Sequence, residues 1–422
     1  MCIRDRLNID ANLQSGQNGY GQSDNITVNG TFAPSSAIKL NAINILADGD
    51  AQYLTIFNNA PDDFVINAGA TYTNGGYKYT FTQNADNKGV VDVTQGEKID
   101  SVTLTDAGFA AAWKDSGTRA FSATEDVNIR EDLGIMAGTE LTIFGNKHSI
   151  NGNGTDHLNI ESTTTSPKTL NIYNVGSVDE NKNVIASWNG HKATNDGGAL
   201  EVVGSTLNIN SSVFSDNHCI DIQAGTTLNG GAIFGSDSNL NISNSYFINN
   251  SAIHANKASM GGAISAASSN VNIISSYFKN NKAQSGGALE ISGSTANIIG
   301  SEFVENTATT DGGAIIIASN TTSIAKSTFT KNSGAFGGAM YVEGGSTNIS
   351  DSIFTENTAT THGGAIYTKY DTGAVVNITN STFTANKALI DTYGGGAILN
   401  NFGTTMTIDN SKFVGNTTAR YG

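Results

Sequence analysis

The sequence predicts an all-β chain wound as a single-stranded parallel β-helix, a β-solenoid of about 10–11 coils, with a β-rich N-terminal region and a short capping helix ahead of it. Three observations predict this. The chain has 422 residues, whereas a single hydrophobic core stops growing near roughly 250–300, so several domains or a quasi-one-dimensional repeat are expected. It holds 48 Gly and 51 Asn but only 3 Pro, a richness in turn formers that suits many short strands joined by tight polar corners. Finally, two motifs alternate eight times along its second half.

Taken in order, residues 1–6 have no apolar stretch behind them and are read as a non-native or unstructured leader, outside the fold. Residues 7–100 read as β-rich, with one credible hairpin formed by Tyr77–Thr82 and Val90–Thr94. Residues 101–196 begin with the helix-like stretch 105–114, with Thr105 or Asp106 as N-cap, placed to shield the first coil. Two or three irregular coils follow between Val127 and Asp196, where 141–154 and 170–175 alternate apolar residues and end in Gly and Asn.

Residues 197–422 carry the regular repeat. Gly-Gly-Ala starts at Gly197, Gly230, Gly261, Gly286, Gly312, Gly337, Gly363 and Gly395. Between copies lies IxxSxFxxN. Its Ile positions are Ile209, Ile242, Ile273, Ile298, Ile324, Ile349, Ile378 and Ile408; its Phe positions are Phe214, Phe247, Phe278, Phe303, Phe329, Phe354, Phe383 and Phe413. Its Asn positions are Asn217, Asn250, Asn281, Asn306, Asn332, Asn357, Asn386 and Asn416. Phe recurs every 25 to 33 residues, which fits one coil of a β-helix. Leu289 and Ile291 alternate and face inward. Ile and Ser-x-Phe have opposite parity, so a bend must separate them, giving three strands per coil. Asn then stands at a corner where its amide can stack with the Asn of neighbouring coils. The paired glycines give positive φ and close approach; no Lys-Ser or Lys-Thr follows them, so a phosphate-binding loop is disfavoured.

Length variation gathers between Asn and the next Gly-Gly-Ala, from four residues after Asn281 to twelve after Asn217. Recognition is expected on these arms and the adjacent outward face. A further insertion lies between Ala365 and Ile378. Tyr341, Tyr367 and Tyr370 are the candidate binding surface, where rings can stack on a sugar.

The formal net charge of −15 opposes phosphate backbones and anionic membrane surfaces, so nucleic acid is not an expected partner. Cys2 and Cys219 build no disulfide framework. The histidines, His148, His157, His191, His218, His254 and His362, are scattered; only His218, beside Cys219 with Asp216 and Asp221, forms a local group, read as a surface loop with a half-buried thiol. No metal, cofactor or catalytic residue is assigned. Glu305 and Glu356 share a position two coils apart with Lys331 between them and read as a solvated face.

The alternating Gly-Gly-Ala-(Ile/Leu/Met) and FxxN motifs of residues 197–422 resemble the repeats of chlamydial polymorphic outer-membrane proteins, which are autotransporter passengers, and of related β-helix adhesins. The resemblance implies a right-handed β-helix, secreted and exposed on a bacterial outer surface, used for adhesion or host and substrate contact and non-catalytic. The ligand implied is a host or environmental surface molecule, including glycans. Export and membrane attachment would reside in segments this sequence does not carry. The competing class is a carbohydrate-active β-helix, a polysaccharide lyase or glycoside hydrolase, which needs Ca²⁺-binding carboxylates with a basic residue or paired acids. Gly422 stands where a ninth Gly-Gly-Ala would begin, so truncation and end-to-end association of the fragment are expected.

Overall fold

The computed structural model describes residues 102–419, apart from 105, 118, 155–157, 163–166, 194–195, 221–226, 254–257 and 390–393, together with the strands of residues 7–98. The chain divides into two compact units, Met1–Ser101 and Val102–Gly422. In the first, one sheet joins Leu7–Asn12, Gln22–Ser23, Lys39–Ala47 and Val65–Ile66, and another joins Tyr53–Thr55, Ala70–Tyr72, Tyr77–Gln83 and Val90–Lys98. Tyr77–Gln83 and Val90–Lys98 pair antiparallel, with Asp92 opposite Thr82.

The second unit is a parallel β-solenoid. In the coil that starts at Gly286 the strands are Leu289–Ser292, Thr295–Ile299, Glu302–Val304 and Thr307–Ala308. Each strand pairs in register with its counterpart one coil on, as in Phe278↔Phe303, Phe303↔Phe329 and Phe329↔Phe354. The Phe strands form an 11-stranded sheet running from Val127–Asn128 to Lys412–Val414, and the strands after Asn form a 9-stranded sheet. About nine coils are therefore complete, with two partial rungs ahead of them.

Corners follow from backbone conformation rather than residue type. The residue three before Phe has positive φ in all eight copies, including Ser211, Asn244, Gly300, Lys326 and Asp351, and this is the bend between Ile and Ser. The residue two after Phe does the same, including Asp216, Glu305, Lys331 and Glu356. A left-handed turn in a single residue lets Ile, Ser and Phe all point inward despite their opposite parity. At the Gly-Gly corner, Gly312 has φ +61, and a Cβ on Gly287 would lie 2.1 Å from the carbonyl oxygen of Gly313. Only glycine permits that approach of successive coils.

The three-strand coil expected from the sequence needs correction, because a fourth short strand follows the Asn corner. It contributes Ala193, Cys219, Ala252, Ala283, Ala308 and Ala359 as buried inward residues. Cys219 is accordingly fully buried in a strand, packed with Leu228, Ala252 and Ala283, and is not a loop thiol. The outer parts of the two longest arms, 221–226 and 254–257, and with them Asp221 and His254, lie outside the described residues, as does His157.

Helix Asp106–Lys114 closes the first coil. It buries Phe109, Ala112 and Trp113, and Phe109 stands edge-on to Phe121 at 5.0 Å and to Trp188 at 6.3 Å. The Asp106 carboxylate accepts the backbone N–H of Asn128 at 2.7 Å and ties the helix to the first rung. Thr105 lies outside the described residues.

Candidate functional site

Most motif residues are placed in the interior, where they hold the coils together. The Phe rings stack at 4.6 to 5.2 Å with interplanar angles of 4 to 8° from Phe214 to Phe413. Trp188 heads this column, 5.5 Å from Phe214, a position the sequence reading missed because its rung lacks the Ile and Asn of the motif. Ile209 through Ile378 are buried, while Ile408 and Phe413 of the last coil are 44% and 43% exposed. The Asn residues from Asn217 to Asn386 are fully buried and bonded coil to coil. The Ser column of the motif forms a ladder of its own, and a further ladder on the outside was not foreseen. Ser212, Ser245, Ser276, Ser301 and Ser327 each donate a backbone N–H to the next Ser Oγ at 3.2 Å. On the outside, Asn208, Asn241 and Asn272 are linked by amide bonds of 2.9 to 3.0 Å. The signal was present as Asn-x-... in the recurring pair Asn-Ile at Asn208, Asn241 and Asn272.

Alternation turns the second residue after Gly-Gly-Ala outward, giving Glu201, Phe234, Ser265, Glu290, Ile316, Tyr341, Tyr367 and Leu399. Outward does not mean exposed here. Ser265, Glu290, Ile316 and Tyr341 are all buried, and beside Tyr367 the chain just ahead of the Gly-Gly corners lies against this column. The ring of Phe336 lies 5.1 Å from that of Tyr367, and His362 lies 6.4 Å from it. Tyr341 therefore does not offer a free ring. It is 8% exposed and stacks on Tyr367 at 5.3 Å and 19°. Burial, with Asp311 and Glu343 nearby, pushes its hydroxyl pKa well up. Tyr367 is half-buried, and Tyr370 is 61% exposed.

Burial likewise raises Asp311, whose carboxylate meets Ser285 Oγ at 3.3 Å. Lys369 pairs with Glu343. Glu290 is the most perturbed acid of this face: burial pushes its pKa up to about 7, against hydrogen bonds that include Ser265 Oγ at 2.6 Å. Below pH about 4.5 the carboxyl is neutral in both folded and unfolded chains; between there and pH about 7 only the unfolded chain ionises. Stability should thus fall as pH rises through that window and stay low above it. Glu290→Gln should match the wild type in urea melts at pH 4 and be more stable by about 3 kcal/mol at pH 8. Equal stabilities at pH 8 would contradict this account.

The remaining candidates separate. Burial lowers the pKa of His218, although Asp216 acts in the opposite sense, and its Nδ1 lies 2.7 Å from Ser251 Oγ. Among the described residues no group of three or more His, Cys, Asp or Glu could hold a metal ion. Glu305, Lys331 and Glu356 occupy exposed left-handed corners, and Lys331 Nζ lies 3.7 Å from Glu356. An external strap was not foreseen: the hairpin Ser177–Val178 and Val184–Ala186 brings Lys182 to Glu302 at 2.8 Å and over the Tyr277 ring at 4.1 Å.

No curated protein and no solved structure matches the chain. One family model does, the Chlamydia polymorphic membrane protein repeat, over residues 351–369. That segment holds Phe354 and Asn357 of one motif and Gly363-Gly364-Ala365-Ile366 of the other, the junction on which the columns above are built. The comparison and the stacking agree that this chain carries repeats similar to those of the Chlamydia polymorphic membrane proteins.

Proposed function

We propose that this chain is a length of an extracellular β-helix displayed on a bacterial surface, part of an adhesin or autotransporter passenger, and that it works by binding rather than by catalysis. The observation that carries this reading is the polymorphic membrane protein repeat match set within an unbroken solenoid. The division of labour along each coil supports it. Interior columns repeat the same residue from coil to coil, whereas the outward column from Glu201 to Leu399 changes at every step but the one from Tyr341 to Tyr367. A rigid scaffold whose outer residues vary is suited to presenting a recognition surface.

The test is attachment. Beads coated with the purified chain should bind cultured epithelial cells saturably, and soluble chain should compete. The same preparation, incubated with a panel of polysaccharides, should release neither reducing nor unsaturated ends. Turnover of any polysaccharide would replace this reading by the lyase or hydrolase one; absence of saturable attachment would remove the adhesive role.

A further inference from the structure

We propose that the outer surface around Tyr370 and Phe402 is a binding site for an uncharged oligosaccharide, an inference that rests on the adhesive reading for its biological use. From the Ala of Gly-Gly-Ala to the motif Ile is ten residues in the first six coils, but thirteen from Ala365 to Ile378 and eleven from Ala397 to Ile408. The scaffold departs from its own rule in two adjacent coils, and in both the enlarged turn carries an aromatic ring outward. Tyr370 is 61% and Phe402 73% exposed, with ring centroids 5.7 Å apart and planes tilted by 30°.

The two turns are built as one platform. Asp371 donates its backbone N–H to Phe402 O at 2.8 Å, and Gly373 donates to Gly403 O at 2.9 Å. Gly403 has φ +76, and a Cβ there would lie 2.7 Å from Asp371 Cα, so the turns are in close contact. Beneath them Thr368 Oγ1 accepts the N–H of Asn401 at 2.8 Å, and Thr404 Oγ1 bonds Asn400 Oδ1 at 2.8 Å. Rings held on bonded turns lose little entropy on binding. Burying apolar rings lowers free energy, so their exposure here has no origin in the coil's own packing.

The surroundings identify the ligand class. Lys369, between Tyr367 and Tyr370, pairs with Glu343 of the coil before, which sets an acceptor and a donor beside the rings. Aromatic rings present an electron-rich face to the C–H groups of a sugar, and the interleaved charged and amide side chains suit its hydroxyls. The two exposed rings form a small patch flanked by polar groups, not the broad apolar centre of a protein interface. Stacked bases would bring phosphates, and the chain's charge of −15 opposes these and acidic glycans alike.

Calorimetric titration with cellohexaose, chitohexaose, maltohexaose and mannohexaose should show binding of at least one, and no binding of hyaluronan hexasaccharide. The double substitution Tyr370→Ala with Phe402→Ala should weaken that binding by about tenfold or more, and Tyr370→Phe should preserve it. Matching urea melts of wild type and variants would show that the coil is intact. If none of the four neutral sugars binds, or if the double alanine variant binds as well as wild type, the site is overturned. Bead attachment to cells then separates the two ideas. Attachment without sugar binding leaves adhesion standing through another partner and removes this site; no attachment and no sugar binding removes both.

Discussion

Replacing Asn332 with Ala should destabilise the solenoid by about 3 to 6 kcal/mol, because every hydrogen-bonding capacity of its buried amide is in use. Its Oδ1 accepts the backbone N–H and the Nδ2 of Asn306, each at 3.0 Å. Its Nδ2 donates to Phe303 O at 2.9 Å and to Asn357 Oδ1 at 2.9 Å. Alanine would leave the backbone N–H of Asn306 and one N–H of its side-chain amide without partners where water does not reach, and would take one donor from Asn357 Oδ1. The loss would be felt at both neighbouring coils. Asn332→Asp is sterically almost identical and isolates the cause. It keeps the acceptor for Asn306 but turns a second oxygen toward Phe303 O and Asn357 Oδ1, where a donor is required. At neutral pH it should cost more than alanine, since a buried charge faces two acceptors. In acid the protonated carboxyl can donate one bond, and part of the loss should return. Urea melts of the two variants at pH 7 and pH 3.5 read this directly. Stability of the alanine variant within about 1 kcal/mol of wild type would show that the ladder contributes little beyond what water supplies.

The interior was legible because its chemistry repeats. Eight copies of Ile, Ser, Phe and Asn at constant offsets leave few alternatives to columns in register, and the structure stacks Phe303 on Phe329 and Asn332 on Asn357. The bend between Ile and Ser followed from parity alone. Its residue was only partly legible: Asn244, Gly300, Asp351, Asn380 and Asn410 are types that accept a left-handed conformation readily, whereas at Ser211, Ser275 and Lys326 the packing on either side imposes it. The fourth strand was hidden for a related reason. It is two to five residues long, its only recurrent feature is a small inward residue such as Ala252 or Ala283, and arms of varying length follow it.

The outer face was less legible because burial there is not local. Alternation correctly turns Glu290 and Tyr341 away from the core, but it carries no information about what packs over them from outside. Phe402 was overlooked for the opposite reason. It follows no motif, and its exposure comes from a turn one residue longer than the ten-residue rule allows. Departures from the repeat, more than the repeat itself, marked the surface with distinctive chemistry.

Phe329→Ala should cost about 3 to 5 kcal/mol, the range of a fully buried aromatic truncated in a core that cannot close around the gap. Phe329 lies 4.8 Å from Phe303 and 4.7 Å from Phe354, with ring planes within 4° of each. The spacing of these three coils is held by ladders on every face, including the Asn and Ser bonds beside the ring. Neighbouring rings therefore cannot slide together, and the void stays between two aromatic faces. Phe329→Leu fills much of the same volume and should lose less. Thr328→Ala alters the adjacent residue, which alternates to the outside and is only partly buried, so it should change stability by roughly 0.5 kcal/mol or less. Hydrogen exchange on the amides of Phe303 and Phe354 adds a local readout, because a gap at Phe329 should speed opening of both flanking rungs ahead of distant ones. Equal losses for Phe329→Ala and Thr328→Ala in urea melts, with exchange unchanged at the flanking rungs, would mean that the stacked rings do not hold successive coils together.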